Sequence, residues 1–340
     1  MYVVRPVVKK DLEQLYKLSS LTKAGLTTFP HNKKLLRRRI DKSIYDFSQA
    51  VTKPNGENYF FVMEDIESGR VVGTCAVMSK VGGFEPSYTY ELKTAVNRSK
   101  TLGVNIKIQY LVLKKEYNGP SEIGTLFLSP DVRQKGLGRL LSLSRFLFMA
   151  QYPQCFEEFV IAEMRGILDD EDRSPFWNAV CKHFFEMEFK KADLMVMEDK
   201  SFIADLIPEH PIYIPILPLS AQKAIGQVHK DTESALRLLN QENFKFINEI
   251  DIFEAGPVVG TKVRNIRTVK KSREMKVFKI VQTINRQSVY LIANATGLDR
   301  FRAVMGTLIK NGKGITIQRD IAQALKVKEG DKVRFASISG

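Results

Sequence analysis

A short loop near the middle of the chain combines glycines and basic residues at a spacing that suits an anionic ligand. The loop contains Arg133, Lys135, Gly136 and Gly138, and an apolar helical pattern begins directly after it. Because glycine has no Cβ, the backbone can turn tightly there and a ligand can approach closely. The first turn of a helix has unpaired N–H groups and a partial positive charge, which bind pyrophosphate. These four residues are therefore the predicted binding residues for a phosphorylated ligand.

The motif R-x-x-G-x-G is weak evidence when it stands alone, because a surface loop can contain two glycines by chance. The loop lacks the Gly-Lys-Ser/Thr of a P-loop and the third glycine of the dinucleotide fingerprint. A surface loop and a phosphate-binding loop are therefore the two interpretations, and the neighbouring elements decide between them.

Strand patterns before the loop and a helix pattern after it favour the phosphate-binding interpretation. Residues 122–128 alternate and then become apolar, which predicts a strand that leads into the loop. Apolar residues of the stretch 137–148 recur at helical spacing. Farther upstream, residues 58–65 and 71–78 predict an antiparallel hairpin, and two β-rich runs lie between 106 and 114.

Beyond the loop, the chain changes character near residue 256. The patterns predict a strand over 159–163 and a helix over 232–243 that a strand over 244–253 follows. After Gly256 the sequence consists mostly of short β-rich runs. We therefore predict two domains, residues 1–256 and a β-rich domain of residues 257–340.

Composition excludes several classes of protein. The 52 Lys and Arg against 38 Asp and Glu give a net charge of +14, which favours anionic partners such as nucleic acid or a polyphosphorylated cofactor. The basic residues are spread along the chain, so most are expected to be solvated surface charge. Three scattered cysteines and four histidines without metal-ligand spacing predict neither a disulfide framework nor a metal site. The absence of a signal-like amino terminus and of an apolar run near 18 residues predicts a cytoplasmic protein that does not enter a membrane.

The strand, loop and helix together resemble the Gcn5-related N-acetyltransferase (GNAT) superfamily, whose coenzyme A loop has the form Q/R-x-x-G-x-G/A. In that fold the strand before the loop splays from its neighbour, its free N–H groups receive the acyl and pantetheine carbonyls, and the helix N-terminus holds the pyrophosphate. The resemblance implies an α+β fold with a GNAT-like acyl-CoA transferase core. That core has a mixed, mostly antiparallel sheet flanked by helices, and here a β-rich carboxy-terminal region follows it. An acyl-CoA would be a co-substrate rather than a permanently bound cofactor.

Pieces of sequence spread over residues 2–257 resemble the arginine N-succinyltransferase family more specifically. They agree in order with the family, and the pieces are Val4-Arg5-Pro6-Val7, Gly25-Leu26-Thr27-Thr28, Thr125-Leu126-Phe127-Leu128, Ser144-Arg145-Phe146-Leu147-Phe148-Met149-Ala150, Ala162-Glu163-Met164-Arg165-Gly166, Ser174-Pro175-Phe176-Trp177, His210-Pro211-Ile212-Tyr213, Gly226-Gln227-Val228-His229 and Ile250-Asp251-Ile252-Phe253 before Gly256-Pro257. The resemblance implies transfer of succinyl from succinyl-CoA to the α-amino group of L-arginine, the first step of succinyl-dependent arginine catabolism. It also implies L-arginine and succinyl-CoA as partners, without nucleic acid or membrane, in a possible homo-oligomer.

The resemblance also assigns roles to residues. The proton donor of the family lies in its G-Q-V-H segment, here at His229, and its succinyl-CoA contact in T-L-F falls on Leu126. Glu163 lies where the superfamily lines its acceptor pocket, so it would bind the guanidinium or relay a proton. Arg165 is the candidate for the succinyl carboxylate, because a planar bidentate donor suits that group. The alternatives are an exposed loop histidine at position 229 and a surface ion pair between Glu163 and Arg165.

Two other functions also fit the sequence. One is a CoA-dependent N-acyltransferase that acts on another amine, such as ornithine, a polyamine or a protein lysine. The other is a basic nucleic-acid-binding protein that uses residues 314–335. That segment lacks the clustered aromatic and basic face that single-strand binding needs.

Overall fold

The fold is one long sheet with helices packed against it, in a computed structural model that describes residues 1–22, 26–133, 136–169, 171–197, 199–285 and 288–338. The strands in the described residues are β1 (Tyr2–Pro6), β2 (Asn58–Asp65), β3 (Val71–Met78), β4 (Gly82–Ser99), β5 (Val104–Asn118), β6 (Ser121–Leu128), β7 (Phe159–Glu163), β8 (Ile212–Tyr213), β9 (Lys245–Asp251), β10 (Pro257–Lys262), β11 (Arg273–Val281), β12 (Val289–Asn294), β13 (Ala303–Asn311), β14 (Gly314–Gln318) and β15 (Lys332–Ser337). The α-helices are α1 (Leu12–Ser19), α2 (Lys33–Ser48), α3 (Leu137–Gln151), α4 (Pro175–Ala179), α5 (Lys182–Phe185), α6 (Phe189–Met195), α7 (Ser201–Leu206), α8 (Leu219–Ala224), α9 (Glu233–Gln241), α10 (Arg267–Lys271) and α11 (Arg319–Leu325). No helix in these described ranges is long and apolar enough to cross a membrane.

The predicted fold class is confirmed. The sheet is mixed and mostly antiparallel, helices flank it, and the carboxy-terminal region is rich in strands. The predicted hairpin of β2 and β3 is antiparallel with the register Asn58↔Met78, and β7 has the predicted bounds.

The strands β4 and β5 differ from the prediction. The two β-rich runs between 106 and 114 belong to one continuous strand, β5, and the sequence analysis missed its partner β4. Most of β4 beyond Tyr90 is exposed or half-buried, so its sequence carries no clear apolar alternation there. It is a strand because it forms a continuous antiparallel ladder with β5, from Ser87↔Glu116 to Ser99↔Val104.

The centre of the sheet opens into a cleft between β6 and β7. These two strands are parallel, and they pair only at Ser121↔Val160 and Glu122↔Ile161. Beyond that point β6 continues to Leu128 while β7 ends at Glu163, so the carboxyl ends of the two strands separate. This is the splayed pair that the resemblance to the GNAT superfamily implies.

Helix α3 anchors the cleft from one face of the sheet. Eleven of its residues are buried, and Phe148 packs against the rings of Tyr59, Phe61 and Phe301 at centroid distances of 5.0 or 5.1 Å. Burial of a large aromatic side chain stabilises a fold by about 1.5–3 kcal/mol. The helix that follows the glycine loop is therefore held rigidly in the core.

The carboxy-terminal strands close into a ring in the order β12-β15-β11-β14-β13, because β13 also pairs with β12. This ring has an apolar core of its own and joins the rest of the sheet through the pairing Val4↔Ala303. Strand β10 begins just after the predicted boundary at 256 and pairs with β7 and β9. The division into residues 1–256 and 257–340 stays a prediction.

Candidate active site

A strained bulge in β6 lies at the mouth of the cleft. The register of β6 against β3 shifts between Thr74 and Ala76, opposite Thr125 and Leu126. Thr125 has φ +54, a left-handed conformation that is unfavourable for a β-branched residue. Its carbonyl accepts a hydrogen bond from the Thr74 hydroxyl at 2.9 Å, and its own hydroxyl accepts one from Arg39 at 2.7 Å. These contacts hold the bulge, so the backbone of Leu126, the predicted acyl contact, lies at the opening between the splayed strands.

The predicted coenzyme loop leads into the N-terminus of α3, whose first backbone N–H groups have no side-chain cap. Gly136 is the N-cap with φ +99, no side chain caps the first turn, and the first turn contains no acidic residue. A Cβ at Gly138 would meet no atom within 4 Å, so the fold itself does not require a glycine there. Arg133 is exposed, and its Nε donates to the carbonyl of Leu128 at 3.2 Å. Lys135 lies outside the described residues.

Carboxylates line the β7 side of the cleft. The side chain of Glu163 at the end of β7 has an exposed surface, yet the surrounding protein displaces much of the water around its carboxylate. This desolvation raises the pKa of Glu163 well above its usual range. The negative charges of Glu122 and Asp251 raise this pKa further, and Lys200 acts in the opposite direction. Burial also raises the pKa of Glu122. The site therefore concentrates carboxyl groups whose ionised forms a cationic substrate would stabilise.

A cavity of about 490 Å³ lies on the same side of the sheet as Glu163. Ile161, which lines it, lies two residues before Glu163 on β7, and side chains two apart on a strand share a face. The described lining residues include a lysine and four glutamates, namely Lys114, Glu116, Glu157, Glu158 and Glu249. The lysine is neutralised by Glu249 at 2.7 Å, which leaves the cavity acidic.

His229 is buried, so the alternative of an exposed loop histidine is wrong. Its backbone N–H donates to the carbonyl of Arg165 at 2.9 Å, which ties the G-Q-V-H segment to the chain beyond β7. The Nδ1 atom of His229 accepts the backbone N–H of Asp231 at 3.1 Å. A ring nitrogen that accepts a hydrogen bond carries no proton, so the proton of the neutral imidazole lies on Nε2. Nε2 is therefore the nitrogen that would donate a proton.

Two glycines allow the segment around Arg165 to pack backbone to backbone against residues 254–256. A Cβ at Gly256 would overlap the carbonyl oxygen of Met164, and a Cβ at Gly166 would overlap that of Glu254. The Gly166 N–H donates to Glu254 at 2.9 Å, and burial raises the pKa of Glu254 well above its usual range. The Nε and Nη2 atoms of Arg165 are enclosed and have no hydrogen-bond partner in the part of the chain that the structure describes.

The structure thus brings Arg165 and His229 into direct contact and places Leu126 and Glu163 on the two strands that form the cleft. The alternative surface pair is absent, because none of the ion pairs among the described residues joins Glu163 to Arg165. Within the same described ranges, no group of three or more His, Cys, Asp and Glu side chains is placed to hold a metal ion.

Comparison with known proteins decides the family. The family model described as the arginine N-succinyltransferase beta subunit matches residues 2–268, and the model of its C-terminal domain matches residues 273–337. The chain belongs to the arginine N-succinyltransferase family. It is accordingly an acyltransferase.

Relatives and a solved structure agree along the whole chain. The arginine N-succinyltransferases of Escherichia coli (strain 55989 / EAEC) and Enterobacter sp. (strain 638) are each 39% identical over 339 residues, which covers 99% of this chain and 98% of each relative. The arginine/ornithine succinyltransferase subunit AI from Pseudomonas aeruginosa is 34% identical, with a TM-score of 0.91 that covers 100% of this chain and 99% of that chain.

Sequence reasoning missed Arg39, Thr125 and Glu122 as part of this site. Arg39 belongs to a run of three arginines, a pattern that by itself predicts solvated surface charge, and only the fold shows that Arg39 contacts β6. Glu122 had a local signal, because a glutamate within a strand that runs into the apolar core is unusual. The bulge at Thr125 left no mark in the sequence.

Proposed function

We propose that this enzyme transfers the succinyl group of succinyl-CoA to the α-amino group of L-arginine. The observation that supports the proposal is the bulge at Thr125, which lies on β6 beyond its last pairing with β7 and directly precedes Leu126. In this proposal the acyl-CoA binds along β6, and the carboxylates around Glu163 bind a cationic acceptor. Membership of the family supports the same substrates.

Coenzyme A is proposed to bind along β6 and the start of α3. The free N–H groups of the first helical turn bind the pyrophosphate, with Arg133 and Lys135 as additional cationic donors. Gly136 provides the left-handed turn, and Gly138 leaves open space beside the helix for the ligand. Succinyl-CoA is a co-substrate in this proposal, and the enzyme keeps no permanent cofactor.

The acceptor amine is proposed to bind on the β7 side. The guanidinium of L-arginine binds the carboxylates around Glu163 and those that line the cavity. The side chain of Arg165 binds one of the two carboxylates that the substrates carry. Glu163 acts as the base, because a carboxylate with a raised pKa can accept the proton of an ammonium group near neutral pH.

The chemical steps then follow from these positions. The amine loses a proton to Glu163, and its nitrogen attacks the thioester carbon. The backbone N–H of Leu126 stabilises the oxyanion of the tetrahedral intermediate. When the intermediate collapses, the C–S bond breaks and the departing thiolate takes the proton from Nε2 of His229. The second proton of the substrate nitrogen replaces it on His229, so the imidazole ends neutral and the nitrogen becomes an amide N–H. The products are the amide and free coenzyme A.

The cellular setting is part of the same proposal. Cys75, Cys155 and Cys181 are all free and buried, as is usual for proteins of a reducing compartment. We therefore keep the cytoplasmic location predicted from the sequence. The homo-oligomer that the sequence resemblance implies is kept as part of the same proposal.

A thiol-release assay tests the proposal. Succinyl-CoA and acetyl-CoA are each offered with L-arginine, L-ornithine, L-lysine and spermidine. The panel includes ornithine because the name of the Pseudomonas aeruginosa protein contains it. We expect the highest kcat/KM for succinyl-CoA with L-arginine. A higher kcat/KM for acetyl-CoA, or for a polyamine that has no α-carboxylate, would contradict the proposal.

A further inference from the structure

Arg39 is the one member of a three-arginine run that turns away from solvent. Arg37 and Arg38 on α2 are exposed, whereas the side chain of Arg39 is half-buried and lies over the ring of Phe60 at 4.7 Å. Its Nη2 donates to the hydroxyl of Thr125 at 2.7 Å. The guanidinium therefore reaches the bulge from the α2 side of the cleft.

Two of the three guanidinium nitrogens of Arg39 have no partner. Nε and Nη1 are enclosed, and neither makes a hydrogen bond to any described residue. The charge of Glu122 acts on Arg39, but no ion pair within the described residues joins the two side chains. Burial lowers the pKa of Arg39 to about 10, so the side chain still carries its charge at neutral pH. An anionic group of a ligand would pair with the unused donors and so stabilise this enclosed cation.

The position of Arg39 matches one end of the acyl donor. Arg39 contacts Thr125, which precedes the acyl contact Leu126, and the terminal carboxylate of a succinyl group lies three carbon–carbon bonds from its thioester carbonyl. A cation next to the bulge is therefore within reach of that carboxylate. Arg165, by contrast, lies beyond β7, beside His229 and Glu254, on the acceptor side of the cleft.

We propose that Arg39 binds the terminal carboxylate of the succinyl group and thereby selects succinyl-CoA over neutral acyl-CoA thioesters. This inference rests on the proposed function, because it assumes that the acyl group lies at Leu126. Each substrate brings one carboxylate, and Arg165 is then left to bind the α-carboxylate of the amino acid. Phe60 and Thr125 hold the Arg39 guanidinium, so its planar donors are oriented before the ligand arrives.

A comparison of two acyl donors of equal length tests the inference. Butyryl-CoA has a methyl group where succinyl-CoA has its carboxylate. Isothermal titration calorimetry gives the Kd of both thioesters for the wild type, Arg39→Gln, Arg165→Gln and the control Arg38→Gln, whose side chain is exposed. We expect Arg39→Gln to weaken succinyl-CoA binding about 30- to 300-fold, which is the usual effect of losing a charged hydrogen-bond partner. Binding of butyryl-CoA should change less than about threefold. Arg38→Gln should bind both thioesters like the wild type.

Several outcomes would overturn the inference. Equal losses for both thioesters in Arg39→Gln would mean that Arg39 only supports the bulge, and a succinyl-selective loss in Arg165→Gln would transfer the role to Arg165. If Arg39→Gln does not fold, Arg39→Lys keeps the charge without the planar fork. A succinyl-selective loss in that variant supports the inference, and wild-type affinity for succinyl-CoA contradicts it. Because these are binding measurements, they are independent of turnover: a wild type that prefers succinyl-CoA but does not acylate L-arginine would contradict the proposed function and leave the role of Arg39 intact.

Discussion

The substitution His229→Asn separates the two roles that the structure gives to His229. The Nδ1 atom accepts the N–H of Asp231 at 3.1 Å and so caps the short 3-10 helix Lys230–Thr232. An asparagine places its Oδ1 where Nδ1 lies, so it can keep that hydrogen bond. Its amide cannot give up a proton to a thiolate. The hydrogen bond from the His229 backbone to Arg165 does not depend on the side chain.

The expected magnitudes differ for catalysis and for stability. Loss of a general acid costs about 10²- to 10⁴-fold in rate, which corresponds to roughly 3–5 kcal/mol of transition-state stabilisation. His229→Asn should therefore lower kcat by this factor and leave the free energy of unfolding nearly unchanged. His229→Ala also loses the cap, so it should show the same kcat and an additional loss of about 1 kcal/mol in stability.

Thiol release at saturating substrate concentrations measures kcat, and chemical denaturation measures stability. Succinyl-CoA affinity should be unchanged in both variants, because neither touches the coenzyme loop. If kcat of His229→Asn stays within a few fold of the wild type, His229 has only a structural role. Glu163 would then be the first candidate for both proton transfers.

Three further variants test other parts of the site. Gly138→Ala should raise the Kd for succinyl-CoA at least tenfold without loss of stability. The control Gly312→Ala, which also has open space for a Cβ, should change neither the Kd nor the stability. If Gly138→Ala binds succinyl-CoA as tightly as the wild type, the assignment of the coenzyme loop is wrong. Because the pKa of Glu163 is raised, kcat/KM should increase with pH through a pKa above the ordinary 4.5. Glu163→Gln should abolish this increase, and Glu122→Gln, which removes a like charge, should shift the increase to lower pH. An unchanged pH profile in both variants would exclude Glu163 as the base. Gly256→Ala should lower the free energy of unfolding by about 3 kcal/mol in denaturant titrations, because its Cβ would overlap a backbone carbonyl that cannot move aside, and a loss below about 1 kcal/mol would contradict that packing.

Local signals were sufficient where an element is defined by its own residues. The hairpin of β2 and β3 and the strand β7 agree with their predicted bounds, because apolar runs bounded by turn residues mark both ends. Strand β4 could not be predicted in this way, since its outer half is exposed and only the ladder to β5 makes it a strand. Phe184 and Phe185 have the same apolar character in the sequence, but Phe184 is exposed because the short helix α5 buries only Phe185.

The site shows the same division. The glycine loop is a local motif, and it was visible in the sequence. The contact between Arg39 and Thr125 joins residues 86 positions apart, so no local pattern could separate Arg39 from its exposed neighbours. The backbone hydrogen bond from His229 to Arg165 likewise joins residues that only the fold brings together.

The identity of the product tests the central proposal most directly. The enzyme is incubated with L-arginine and succinyl-CoA that carries ¹³C in the succinyl carbons, and the product is analysed by NMR and tandem mass spectrometry. We predict a single product in which the labelled succinyl group forms an amide with the α-nitrogen of arginine, and one molecule of free coenzyme A for each molecule of product. Succinylation of the guanidino nitrogen, or release of coenzyme A with free succinate and no arginine adduct, would contradict the proposed function.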